Sequence, residues 1–418
     1  MTAERTAETM AERSARPLDG FRVIELGTMV AGPFCGRMLA DFGAEVIKVE
    51  MASGDPVRGM GKRVRGKSLY ASSIFRNKKM VSIDLRTEKG RDLVRTLAAK
   101  ADVLIENFRP GTMERWGLGY DALSRLNPRL VMVRISGFGQ TGPYSMRAGY
   151  GVIGEAMSGM RHITGDPDRP PARVSVSLTD YITGLHAAYG AVMALLKRNE
   201  TGKGQCIDAA LYESAFNFME PYVPAYEKLG FVANRTGSRL PNNTPNNLYT
   251  TRDGRYIHLA AVSEPTWRRL MQAIGRTDAL EDPRFATLTT RSENEDAIDA
   301  MISAWAASRD LEEIDAILQE AGVPASRIYT MADVFADPHY AERGMLVDVP
   351  DDDLGNVRLA NVVPRLSETP GRIDKAGGQP GADTRAVLAE LAGLTERAIA
   401  NLEAEGVIHC GAAPRDAG

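Results

Sequence analysis

The sequence predicts an α/β protein, with a large doubly wound parallel-sheet domain and a smaller α+β domain. Two observations carry this. Short apolar runs alternate with helix-like segments over roughly the first 140 residues, and the texture changes to a hairpin followed by helices beyond a turn-rich stretch at 236–247. Phe21–Leu26 reads as the first strand, 27–32 as a turn, and Pro33 as the opening of a helix to about Phe42. Ala44–Val49 then completes a β-α-β unit, whose crossover makes the two strands parallel. Met80–Leu85, Asp102–Glu106 and Leu130–Ile135 read as further strands, with a helix from Thr87 to Lys100 capped by Thr87.

Leu178, Ile182, Leu185, Tyr189, Val192 and Leu196 recur at helical spacing and predict the apolar, buried face of a long helix. Ser177 and Asp180 are placed to open it as a capping box, and Thr201–Gly204 to close it. The charge-free run Tyr181–Leu196 is shorter than the roughly 20 residues that span a bilayer. Asp208–Leu229 reads as helical, Leu248–Thr251 with Tyr256–Ala260 as a hairpin, and Glu264–Gly275, Glu293–Ser308 and Leu311–Ala321 as helices. Helical stretches at Asp383–Leu391 and Thr395–Glu405 are expected to return to the first domain. The expected organisation is a polar tail at 1–17, a large domain at 18–225 completed by 365–418, a linker at 226–247, a small domain at 248–350 and a return linker at 351–364.

Composition narrows the chemistry. The 418 residues carry 51 Lys+Arg against 54 Asp+Glu, a formal charge of −3, so nothing global points to nucleic acid or an acidic membrane. Cys35, Cys206 and Cys410 lie far apart, and no HExxH or HxH spacing occurs among the histidines. No metal site is expected, and a reducing, cytoplasmic setting is. The alternating charges of the first sixteen residues fit neither a signal peptide nor a transit peptide.

Gly137–Gly142 and Gly149–Gly154 both match GxGxxG, but Pro143 follows the first, so tight turns explain them better than a dinucleotide fingerprint. Lys48, Lys78, Lys79, Arg86 and Arg115 are scattered over strand ends and loops, where phosphate contacts and plain surface charge are both open. Asp180 suits two roles as well. A carboxylate in the first turn of a helix stabilises the helix dipole, and beside a glycine-rich surface it suits attack on an activated acyl group.

Several ordered segments resemble the family III CoA-transferases. They are Leu18-Asp19-Gly20, Ala31-Gly32-Pro33, Gly43 to Glu50, Asn77-Lys78-Lys79, Glu106 to Gly111, Gly137 to Pro143, Asp180 ahead of Gly184, and Thr201 to Gln205. The resemblance covers nearly the whole chain after residue 17. It implies a coenzyme A thioester as donor and a small carboxylate as acceptor, with Asp180 as the nucleophile that carries an acyl anhydride and then an aspartyl-CoA thioester. It also implies CoA contacts from Val30, Ala31, Ile83, Arg86, Asn107, Phe108 and Arg115, with Arg147 and Tyr150 near the thioester, and an interlocked homodimer. Succinyl-CoA as donor and glutarate, itaconate or mesaconate as acceptor are the expected pair. Pro241 to Asn247 replaces the tetraglycine loop of the oxalate branch, and Ala148-Gly149 replaces the His-Asp of the racemase branch. The alternatives are a 2-methylacyl-CoA racemase and a non-catalytic CoA-binding protein. Arg239, Asn246 and Asn247 are candidates for the acceptor carboxylate, against an ordinary turn role.

Overall fold

The computed structural model describes residues 16–411, so the expected polar tail lies, up to residue 15, outside the described residues. These residues form two compact units, one of 16–160, 174–220 and 340–411, the other of 161–173 and 221–339.

The first unit is built on a seven-stranded sheet of β1 (Arg22–Glu25), β2 (Glu45–Glu50), β3 (Lys78–Ile83), β4 (Val103–Glu106), β5 (Val131–Ser136), β6 (Cys206–Ala210) and β7 (Ile408–His409), in the order β7-β3-β2-β1-β4-β5-β6. Every neighbouring pair is parallel except β7 with β3. The strand order reverses between β1 and β4, and ligands of open α/β sheets bind at such a switch point, beyond the carboxyl ends of the strands.

Alternating side chains serve two apolar layers. Ile24, Ile47, Val81 and Leu104 pack under α1 (Glu88–Ala98) and the helices Thr384–Ala392 and Glu396–Ala404. Val23, Val46, Val103 and Val133 pack under α2 (Ala31–Asp41) and α4 (Leu178–Thr201), with α3 (Gly151–Met157) lying ahead of α4 in the chain. Thr87 caps α1 by accepting from the Gly90 N–H.

Two expectations for α4 fail. Ser177 precedes it with no side-chain cap bond, its ψ of 56° holding it outside the extended geometry usual for an N-cap. The buried face is the small-residue one, Thr183, Gly184, Ala187, Ala191 and Ala194, while Leu185, Tyr189 and Leu196 are exposed. Small residues let α4 approach α2 closely: a Cβ on Gly184 would sit 2.7 Å from the Ala31 carbonyl oxygen.

Other differences concern boundaries. Residues 226–247 belong to the second unit and include the end of the helix Tyr222–Leu229, whereas 340–350 belong to the first. The expected return linker is half of a hairpin, Leu346–Asp351 paired with Gly355–Ala360. Cys206–Ala210, expected in part as helix, is an edge strand. The second unit pairs Asn246–Thr250, Tyr256–Ala260 and Ala325–Arg327 in an antiparallel sheet, with Trp267, Leu270, Ile302 and Ile314 of its helices in the core.

Candidate active site

A cleft of ≈ 220 Å³ lies at the switch point. Its walls come from the loop after β1 (Thr28, Met29, Ala31), the loop after β4 (Asn107, Phe108, Arg109, Pro110), the end of β5 (Ser136, Gly137) and the segment Ser145–Tyr150, and it contains Asp180. Asp180 is the third residue of α4, where the helix dipole favours negative charge. Its carboxylate lies against the start of α3, because a Cβ built on Gly151 would fall 2.0 Å from Asp180 Oδ2. Only glycine leaves room there. Gly137 and Gly149 meet backbone to backbone in the same way, each hypothetical Cβ falling within 2.7 Å of the other's Cα. The two GxGxxG matches are therefore a close-packing device, with no helix following the first.

The loop after β1 is held atom by atom. Asn107 accepts from the Thr28 N–H and donates to the Thr28 carbonyl, both at 2.8 Å. Met29, with φ +64°, donates to Asp55 Oδ1 at 3.1 Å. Beneath lies a buried set of charges: Lys48 bonds the Gly27 carbonyl and sits 3.0 Å from Asp55, and Lys78 bonds Glu25 at 2.7 Å and the Pro33 carbonyl at 2.6 Å. Burial pushes the Glu25 carboxyl up, against the opposing Lys78 and Lys48, and pushes the Lys78 ammonium down. Lys48 and Lys78 are thus structural cations inside the sheet and have no exposed face for phosphate. Lys79 pairs with Glu45.

The remaining expected residues fall in three places. Asp180, Ala31, Asn107, Phe108, Arg147 and Tyr150 share the cleft. Val30 lies beside it, but its side chain packs with Val57 and Phe75 in the core. Ile83 likewise points into the core, while its neighbours Ser82 and Asp84 line a second cavity of ≈ 340 Å³ with Met51, Ser53, Arg86 and Ile408. Arg86 lies there in a bidentate pair with Asp84. Arg115 lines neither cavity and bonds Thr112. Arg239, Asn246 and Asn247 belong to the second unit and serve its packing: Arg239 bonds Asp299, Glu295 and Asp296, Asn247 bonds Asp299, and Asn246 bonds His258. Thr28, Met29 and Arg109 also line the cleft; the sequence gives them no site role, because they carry no catalytic side-chain signature and join the cleft through loop geometry.

Among the described residues, no group of three or more His, Cys, Asp or Glu is placed to hold a metal ion, and no helix is long and apolar enough to cross a membrane.

An open parallel sheet of order 3-2-1-4-5-6 with a carboxylate in its switch-point cleft is a ligand-binding α/β frame. The description "CoA-transferase family III" matches residues 18–384, and the chain belongs to that family. It is 47% identical over 400 residues to succinyl-CoA–D-citramalate CoA-transferase of Chloroflexus aurantiacus, covering 95% of this chain and 100% of that one. It is 34% identical over 404 residues to succinyl-CoA:glutarate CoA-transferase of Mus musculus, covering 94% and 91%. A CAIB/BAIF family protein from Brucella suis has a crystal structure similar to this one, with a TM-score of 0.81 and 37% identity, covering 90% of this chain and 100% of that one.

Proposed function

We propose that this chain moves coenzyme A from succinyl-CoA to a small dicarboxylate through a covalent intermediate on Asp180. The observation that carries the reading is the Asp180 carboxylate, lodged against Gly151 at the helix start within the switch-point cleft. The relatives named for citramalate and glutarate transfer favour the substrate class.

Asp180 attacks the thioester carbonyl, the carbon–sulfur bond breaks, and the CoA thiolate leaves with the electron pair. The thiolate then attacks the aspartyl carbonyl of the mixed anhydride, releasing succinate and leaving an aspartyl-CoA thioester. The acceptor carboxylate displaces the thiolate to form a second anhydride. Attack by the thiolate on the acceptor's acyl carbon yields the new acyl-CoA and restores Asp180. Each step exchanges one acyl bond for another, so the thioester's energy is retained.

At ≈ 220 Å³ the cleft is smaller than the roughly 300–1,000 Å³ of ordinary ligand pockets and suits the reacting end of CoA alone. The second cavity, on the same carboxyl-terminal edge of the sheet, suits the nucleotide, with Arg86 exchanging Asp84 for a phosphate. Ala31, Asn107 and Phe108 line the path for the pantetheine, and Arg115, at the end of the short helix Thr112–Arg115, is a further phosphate ligand. Val30 and Ile83 contribute by holding the backbone in place.

The active unit in this reading is a homodimer, interlocked as the resemblance implies. Leu185, Tyr189, Met193 and Leu196 on α4 and Ile153 and Met157 on α3 leave exposed apolar surface that a second copy would cover. A cytoplasmic setting accords with three free cysteines.

The test is transfer from succinyl-CoA to a panel of carboxylates, followed by chromatography of the CoA esters. Wild type is expected to convert C4–C5 dicarboxylates, and Asp180→Ala to lose activity by roughly 10³-fold or more. Full activity in Asp180→Ala, or α-proton exchange without any acceptor, contradicts the reading.

A further inference from the structure

Succinyl-CoA and a dicarboxylate acceptor share one feature, a free carboxylate distal to the reacting carbonyl. In both halves of the reaction proposed above, that carbonyl must meet the Asp180 carboxylate. The distal carboxylates of donor and acceptor therefore fall in one place, and a single cationic subsite serves both.

The cleft offers such a subsite. Arg109, from the loop after β4, and Arg147, from the loop after β5, line it together with Asp180. Elsewhere in the same unit, Arg58, Arg76 and Arg134 are each held by a carboxylate, Glu50, Asp41 and Glu106 respectively. The guanidinium groups of Arg109 and Arg147 have no hydrogen bond and no carboxylate partner among the described residues. Arg147 is held in another way, its guanidinium carbon 3.6 Å from the centroid of the Tyr144 ring. Tyr144 in turn stands edge-on to Phe138, a buried side chain, with the ring centroids 6.2 Å apart. Stacking fixes the guanidinium and leaves its N–H donors free for a planar, bidentate anion.

We propose that Arg147, assisted by Arg109, binds the distal carboxylate of both the succinyl donor and the dicarboxylate acceptor and so selects dicarboxylates over monocarboxylates. The inference rests on the transfer reaction proposed above. The other anion within the substrate is a CoA phosphate, and the two sources separate by comparing succinyl-CoA with butyryl-CoA, which has the same chain length and the same nucleotide but no distal charge.

Steady-state transfer is measured for wild type, Arg147→Gln, Arg147→Lys and Arg109→Gln, with butyryl-CoA as a competitive inhibitor against succinyl-CoA. Arg147→Gln is expected to raise KM for succinyl-CoA and for the dicarboxylate by about tenfold or more each, while the inhibition constant of butyryl-CoA stays within about twofold. Arg109→Gln is expected to act in the same direction with a smaller rise, and Arg147→Lys to recover part of the loss. Equal weakening of succinyl-CoA and butyryl-CoA would assign the arginines to phosphate and overturn the proposal, as would unchanged constants for all ligands. Wild type without transfer to any dicarboxylate instead overturns the reaction itself.

Discussion

Gly151 shows how little space surrounds the Asp180 carboxylate proposed as nucleophile. Its hypothetical Cβ would meet Asp180 Oδ2 at 2.0 Å, so Gly151→Ala must move the carboxylate or the start of α3. A displacement near 1 Å at a reacting group costs on the order of 10²-fold in rate, and kcat of the variant is expected to fall by that much while its melting temperature changes little. Unchanged kcat would mean that the carboxylate is not held where it reacts. The buried charges under the cleft give a second prediction. Lys78→Met removes the hydrogen-bonded partner of Glu25, a fully buried carboxylate then left with Lys48 at 3.9 Å, and urea unfolding is expected to show a loss of about 3–5 kcal/mol. Adding Glu25→Gln should recover much of that loss, because no uncompensated charge is then left. These lysines were misread as strand-end cations because a charged residue within an apolar run normally marks exposure. The sequence has no sign that Glu25, Asp55 and the Gly27 and Pro33 carbonyls converge on them.

At the scale of elements, α4 carries the clearest lesson. Its periodicity predicted a long helix, and the helix runs Leu178–Thr201. Periodicity did not choose the face, because a stripe of large apolar residues and a stripe of small ones both repeat at 3.6 residues. Packing against α2 demanded the small stripe, since Gly184 approaches the Ala31 carbonyl too closely for a side chain. The large stripe stays exposed, where the proposed second copy would cover it. If a second copy covers that stripe as proposed, wild type sediments as a dimer and Leu185→Glu combined with Tyr189→Glu as a monomer at micromolar concentration in analytical ultracentrifugation. A double variant that still sediments as a dimer would show that the second copy sits elsewhere. The strands were legible because buried parallel strands read as largely apolar runs, and Phe21–Leu26 contains β1 while Leu130–Ile135 overlaps all but the last residue of β5.

For the whole molecule, sequence order is a weaker guide than contact. The second unit takes in residues 161–173, well before the hairpin that announces it, and the first unit is completed by 340–411. Neither assignment follows from local pattern. Of the residues that motifs marked, Asp180, Asn107 and Phe108 line the cleft while Val30, Ile83 and Arg115 do not, and Met29 lines it with no motif to mark it, because only strand order gathers the loops. Arg239 shows the converse, a suggestive cation in a polar loop that three carboxylates of its own unit already occupy. The proposed transfer therefore turns on Asp180 at the switch point. Incubating the protein with succinyl-CoA, quenching with hydroxylamine and sequencing the peptides by mass spectrometry tests it most directly. A hydroxamate on Asp180 that forms only with the thioester present is the expected result. A modification on another residue, or turnover with no modified peptide at all, would contradict it.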